Sequence, residues 1–333
     1  MSIHINSDSS LAIFFFHSVV GALIMLLLWA DMNILMPDDT DLLTLPWTRD
    51  WPMQNWTKHI PSTVVIAVAT TCTRLPYVMQ SLPFMLNQTW RPLRIIISLP
   101  QCDQDAVLSQ LSPLATFNRL LNLSPRFTKN ESVWMATTKT VESTPILLNF
   151  CERDWGPGTK LIGAYKTVGP SEDTVIITLD DDCIYSQHTV QTLLTHLPAD
   201  GGAIGGLCQE PRWSKGTHGD WRRTDQAVLY RHVLTESAVE CRGCLMGFHG
   251  SAYWASSFND SLLTYVDSLP PECYFADDVW ISGLLHQAGV KRWTYFKAPH
   301  PHHLPKHSSS ISSIAFTRDK HMWPCAKHFN YFK

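Results

Sequence analysis

The stretch Thr174-Val-Ile-Ile-Thr-Leu179 runs directly into Asp180-Asp181-Asp182. Its apolar and β-branched residues, of strand length and with no polar alternation, predict a β-strand buried on both faces. Three adjacent carboxylates then stand where that strand stops. They repel one another unless a cation or solvent offsets the charge. In open α/β sheets, ligands bind beyond the carboxyl ends of the strands. Asp180 and Asp182 point the same way on an extended backbone, so the pair can share one hard divalent cation together with substrate phosphates. An acidic turn closing a strand is the plainer reading of the same residues.

Upstream, Thr63 to Ala69, TVVIAVA, is a second β-branched run, followed by a polar turn of Thr70, Thr71, Cys72 and Thr73. The pattern predicts a helix with Thr73 as its N-cap and Pro76 in its first turn. Leu75, Met79, Leu82 and Leu86 keep helical spacing, Gln88 to Pro92 breaks it, and Arg94 to Ser98 reads as a further strand. Strand, helix and strand make a βαβ unit, whose right-handed crossover implies a parallel sheet. Residues 103–150 are weakly patterned. After Gly156-Pro157-Gly158-Thr159-Lys160, helical spacing continues to about Thr167. Downstream lie a predicted helix from His188 to Leu197, a short strand over Ala203 to Leu207 and a glycine-rich stretch, Arg242 to Trp254. A helix over Asp277 to Ala288 is stopped by Gly289. The remainder reads as loop, dense in histidine. There is no internal repeat.

TVIITLDDDCIYS resembles the strand and D-x-D motif of the GT-A class of glycosyltransferases. TVVIAVATTCTRLPYVMQSLPFMLNQTWRPLRIIISLP resembles the opening nucleotide-binding unit of that class. WGPGTKLIGAY resembles a segment that precedes the D-x-D strand in several members, and CYFADDVWISGLLHQAGV resembles their x-E-D motif, with Asp277 in place of Glu. The likeness covers roughly Thr63 to His303. It implies an α/β fold, a GT-A-like single domain with a mostly parallel central sheet. It also implies roles. Thr70, Thr71 and Arg74 match positions that bind base and ribose, and Lys160 a contact to the nucleotide or its diphosphate. Asp180 matches a ribose-facing position, with Asp181 beside it on the nucleotide side. Asp182 matches the metal ligand, with Asp180 sharing the ion. His300 and His302, downstream of the acidic motif, match a third ligand, and the expected metal is Mn²⁺ or Mg²⁺. Asp278 matches the carboxylate that takes the acceptor's proton, and Asp277 an acceptor contact. The simpler reading of Asp277 and Asp278 is a helix cap or dipole partner. For the histidines it is a general metal-binding tail, and for the glycine-rich stretch a β-hairpin.

The rest of the chain concerns placement. Apolar residues make up 45% of the 333 and charged residues 17%, with a net charge of −3. This suits a packed core and offers no basic field for nucleic acid. Leu11 to Ala30 carries no Asp, Glu, Lys or Arg, and a helix of about 20 residues spans a bilayer core of about 30 Å. It reads as an uncleaved transmembrane anchor, because a signal peptide has a shorter apolar core and a small-residue cleavage site. Residues 1–10 then form a short tail, 31–60 a stem and 61–333 the catalytic domain. Sequons at Asn55, Asn87, Asn122, Asn130 and Asn259 suit a luminal position in the Golgi or endoplasmic reticulum. Nine cysteines include one C-x-x-C, Cys241 and Cys244, with no second pair to complete a zinc site. In an oxidising lumen, disulfides are expected.

The sequence therefore leads to a membrane-anchored, metal-dependent transferase. Its expected reaction moves a sugar from a nucleotide sugar, UDP-linked, to a hydroxyl of a glycan or glycoprotein, with inversion. Two other classes stay open: a metal-dependent phosphate-ester hydrolase or nucleotidyltransferase, and a catalytically silent binding protein of the same fold.

Overall fold

In a computed structural model, the strand predicted at Thr174 lies near the middle of a ten-stranded sheet. The structure describes residues 61–111, 127–130, 133–136, 144–209, 212–215, 221–224, 237–258, 261–295, 297–304 and 315–329. The expected anchor at Leu11 to Ala30 and the stem lie outside these residues. Among the described residues, no helix is long and apolar enough to cross a membrane. All of them belong to one unit, Asn55–Lys333.

The sheet strands, in chain order, are β1 (Thr63–Ala69), β2 (Arg94–Pro100), β3 (Phe127–Asn130), β4 (Val133–Ala136), β5 (Ile146–Cys151), β6 (Thr174–Thr178), β7 (Ala203–Gly205), β8 (Val239–Glu240), β9 (Ser251–Trp254) and β10 (Arg292–Thr294). Their spatial order is β8-β10-β7-β9-β6-β1-β2-β5-β4-β3. β6, β1, β2 and β5 are parallel neighbours, in the register Val64–Val175 and Ile66–Ile95. Antiparallel pairing enters on both flanks, through β9 against β6 and β4 against β5. Strands β1, β2, β3, β5, β6, β7 and β10 run one way, and β4, β8 and β9 the other.

The β-branched runs are explained by what covers them. Val64, Ile66 and Val68 on β1 face one core, and Val65 and Ala67 face the other. The first core is closed by helices α1 (Leu75–Leu86) and α4 (Thr189–His196), the second by α3 (Thr159–Val168) and α6 (Asp277–Gln287). A strand sandwiched between helices has no solvent face, so polar alternation disappears. Two further helices, α2 (Gln104–Leu111) and α5 (Ser261–Asp267), complete the middle of the chain.

Two local expectations are corrected. Thr73 is not a helix N-cap. It sits inside a 3₁₀ turn, Cys72–Arg74, tied through Cys72 to Cys102 by a disulfide, so that α1 begins at Leu75 with Arg74 in the cap position. The C-terminal region is not all loop. Ala315–Phe329 is a helix, α7, despite an interior Pro324. Tertiary contact replaces sequence pattern here. Cys325 is bonded to Cys273 just before α6, and a Cβ on Gly283 of α6 would lie 2.3 Å from the Phe329 ring. The third disulfide, Cys208–Cys241, leaves Cys244 outside the bridge, its thiol donating to the Gln209 carbonyl, so the C-x-x-C is not itself a bridge.

Candidate functional site

Two elements carry the carboxylates. Asp180, Asp181 and Asp182 follow the carboxyl end of β6, and Asp277 and Asp278 open α6. They meet because α3 and α6 are packed through a glycine turn. Gly158 lies so close to Trp280 that a Cβ there would stand 2.2 Å from its ring. Gly156 has φ +62° and lies against the Tyr274 carbonyl, a position that needs both positive φ and no side chain. This approach brings Lys160, on the first turn of α3, between the two acidic groups. Its ammonium donates to Asp180 Oδ1 at 2.7 Å and stands 2.9 Å from Asp277 Oδ2, the latter an ion pair without hydrogen-bond alignment. Burial would depress this lysine, but the charges of Asp180, Asp277 and Asp278 outweigh it and hold its pKa well above the usual value.

The three adjacent aspartates have different surroundings. Asp181 is enclosed, its side chain 8% exposed. Oδ2 accepts from the Thr70 hydroxyl at 2.7 Å and from Arg74 Nε at 3.0 Å, and Oδ1 accepts from Arg74 Nη2 at 2.5 Å. Its carbonyl accepts from the Ser81 hydroxyl. Burial raises the Asp181 pKa against the pull of Arg74 and Thr70. Asp180 and Asp182 are open to solvent, 29% and 27% exposed. Arg74 Nη2 also donates to Asp182 Oδ2 at 2.9 Å. The N–H of Asp180 donates to the Tyr185 hydroxyl, which donates in turn to the Phe248 carbonyl. This ties the strand end to the glycine-rich stretch.

That stretch is not a hairpin on itself. Cys244–Leu245 pairs with Cys208–Gln209, Gly247–His249 makes a 3₁₀ turn, and Ser251–Trp254 is β9 of the main sheet. Gly247 N–H donates to Asp278 Oδ1 at 2.9 Å. The N-cap of α6 is Ala276, and neither Asp277 nor Asp278 occupies it. Asp278 therefore holds a different element, although both acids also face the positive end of the helix dipole.

Of the nucleotide-side residues, Thr70 and Arg74 are engaged by Asp181, whereas Thr71 is exposed and shares a hydrogen bond with the Thr73 hydroxyl. Of the histidines, the structure brings His303 to the aspartates. His302–His303 pairs antiparallel with Cys183–Ile184, His303 opposite Cys183, and Leu304 N–H donates to the Asp182 carbonyl at 2.8 Å. An oxygen of Asp182, the sulfur of Cys183 and a ring nitrogen of His303 all lie within 4.8 Å of one another. His300 packs edge-on against His249, centroids 4.3 Å apart, and its Nδ1 bonds the Pro301 carbonyl. His302 is exposed and occupies the ladder position next to His303. His249 is buried with both ring nitrogens lacking hydrogen bonds, and burial with the nearby His300 and His303 pulls its pKa down to about 3. A carboxylate and an imidazole on one rim form a donor set that fits a divalent metal.

No protein-family model matches the sequence, and no curated protein matches it. Solved structures do. TarS 1-349 from S. aureus, in complex with UDP-GlcNAc, overlaps at 14% identity over 75% of this chain and 61% of that one, with TM-score 0.40. The mannosyltransferase PcManGT from Pyrobaculum calidifontis, in complex with GDP-Man and Mn²⁺, overlaps at 13% identity, 83% and 66% coverage, and TM-score 0.46. GalNAc-T7 with UDP, GalNAc and Mn²⁺ gives 14%, 80%, 55% and 0.45. This chain spans less than two thirds of the length of each. Overlaps this loose carry no ligand and no residue role across.

Two residues at the site escape a sequence reading. Tyr185 and Gly247 act through hydrogen bonds between distant elements, whereas His303 belongs to the histidine-dense stretch and is set opposite Cys183 by strand register. Only the glycine richness around Gly247 leaves a trace in the sequence.

Proposed function

We propose that this protein is a metal-dependent glycosyltransferase that moves a sugar from a nucleoside diphosphate sugar, UDP-linked, to a hydroxyl of a glycan or glycoprotein. One observation carries the reading. Two open carboxylates at the end of a central strand stand beside a separate acid, Asp278, that is held by a backbone N–H and is not used as a cap. Transfer with inversion needs that separation: a group to hold a metal–diphosphate, and another to take the proton of the attacking hydroxyl. Asp182, with His303, would hold the ion, which when bound offsets charge building on the leaving diphosphate. Asp180 faces the nucleotide. Lys160, engaged by carboxylates, keeps Asp180 and Asp277 together. Asp278 accepts the acceptor's proton while Gly247 N–H fixes its other contact.

The test is UDP binding to the purified full chain, by titration calorimetry with Mn²⁺, with Mg²⁺ and with chelator. Binding requires the metal, and Asp182→Ala abolishes it while the circular dichroism spectrum is unchanged. Equal UDP binding by the variant and wild type would overturn the assignment. A donor screen separates the rivals. A phosphate-ester hydrolase consumes simple esters without needing an acceptor, and a silent binding protein is indifferent to Asp278→Asn.

Membrane-anchored placement with a luminal domain belongs to the same proposal. It is supported by the uncharged Leu11–Ala30 stretch, the sequons (Asn87 is exposed) and three disulfides. Full-length protein made in a secretory host should shift in mobility on deglycosylation and resist carbonate extraction. An unshifted, extractable product would refute it.

A further inference from the structure

The rim beside Asp182 holds a sulfur that an oxygen-ligand site would not require. Cys183 follows Asp182 directly, and the antiparallel pair with His302–His303 places His303 opposite it. Its Sγ lies 3.3 Å from His303 Nδ1 and 3.7 Å from Asp182 Oδ1. Arg74 occupies the other oxygen of Asp182, Oδ2, so Oδ1 is the one turned toward the thiol. Tetrahedral sites with metal–sulfur bonds of about 2.3 Å and metal–nitrogen or metal–oxygen bonds of about 2.0–2.1 Å have ligands roughly 3.5 Å apart. The two separations, 3.3 Å and 3.7 Å, bracket that value. The trio is also held by backbone: the ladder fixes His303 against Cys183, and Leu304 N–H to the Asp182 carbonyl fixes the ladder to the aspartate. Among the described residues, this is the group of histidine, cysteine and acidic side chains whose donor atoms converge closely enough for one ion.

Softness decides which ion. Carboxylate and water suit Mg²⁺ and Mn²⁺, imidazole suits Zn²⁺, and thiolate selects Zn²⁺ and other thiophilic ions. We propose that Asp182, Cys183 and His303 form a three-ligand metal site with a thiolate in it that prefers Zn²⁺-like ions over Mn²⁺ and Mg²⁺. This deepens the functional reading, resting on its placement of the metal at Asp182, and names the ion class. As the metal–sulfur bond forms, the thiol releases its proton to solvent. Mn²⁺ still binds, through Asp182 and His303, but without the sulfur.

The experiment is a Co²⁺ titration of the full chain without nucleotide, read by near-ultraviolet absorption. Wild type develops a thiolate-to-cobalt charge-transfer band that saturates at one ion per chain. The band persists in Cys151→Ser, is lost in Cys183→Ser and weakens in His303→Gln. In Mn²⁺ competition, the preference for Zn²⁺ falls at least ~10-fold in Cys183→Ser, the scale on which changes around a metal site act. Circular dichroism on both Cys183→Ser and His303→Gln separates lost ligation from lost fold. Calorimetric Co²⁺ binding with no thiolate band, or an undiminished band in Cys183→Ser, overturns the proposal. Its failure differs from that of the functional reading. Metal-dependent UDP binding without a thiolate band sinks the sulfur ligand alone, and a thiolate band without UDP binding sinks the transferase alone.

Discussion

The two acidic clusters face the same difficulty and meet it differently. At the end of β6, Arg74 grips Asp181 twice and Asp182 once, and Thr70 adds a third hydrogen bond to Asp181. At the start of α6, a single buried lysine reaches Asp277, and Asp278 is held by the backbone of a distant loop. The first cluster is anchored by spending its middle member. Asp181 is enclosed so that Asp180 and Asp182 can stay at the surface. The second is balanced by a cation shared with the first. Three identical residues in a row thus have unlike jobs, decided by what surrounds each and not by its type. Arg74 and Lys160 are the cations whose contacts join these acids, Arg74 within the first cluster and Lys160 between the two.

The contrast can be broken at either cluster. The largest expected effect is on chemistry. Asp278→Asn should cut transfer by about 10²–10⁴-fold, the usual contribution of a positioned base, with little change in urea midpoint because the amide oxygen can still accept from Gly247. A rate within threefold of wild type would remove Asp278 from the reaction. Next, Arg74→Met strips a buried carboxylate of its guanidinium, and such losses cost about 3–5 kcal/mol. Denaturant unfolding should show this, with UDP binding also weakened through Asp182. Lys160→Met should cost less, about 2–3 kcal/mol for charged groups left without a donor, because Asp180 can turn to water. If Lys160→Met proves the costlier of the two, the shared lysine and not the arginine is the main anchor. The smallest effect is expected from Thr70→Val, which removes one of three donors to Asp181, about 1 kcal/mol.

Much of this architecture could be read beforehand where one force dominates. β1, β2 and β6 are buried on both faces, so their composition alone announces them, and the position of the aspartates follows from where β6 ends. Gly289, at φ +71°, stops α6 as its glycine predicted. Where several weak contacts decide, the sequence was silent. α7 has a polar, proline-interrupted pattern and is held by a disulfide and by Phe329 against Gly283. The hairpin of β3 and β4 exists because β5 offers an edge to pair with. The ion pairs of Lys160 with Asp180 and Asp277 could not be read beforehand, since nothing in a linear sequence shows that α6 will fold back over α3. That His303 and not His302 stands opposite Cys183 turns on a register of two residues, and a strand register shifted by one reverses every side chain.

Gly247 has a practical meaning for anyone reshaping this loop. A single added carbon there would lie 2.9 Å from Asp278 Oδ1 and 3.1 Å from the Lys160 ammonium. The position works as a spacer gauge, setting how near the loop can come to the charges. A library can vary Phe248, which lies half-buried beside it, while any side chain at position 247 obliges the Asp278 carboxylate to shift. Libraries that randomise both together will mix the effect of a shifted Asp278 carboxylate with that of the residue at 248.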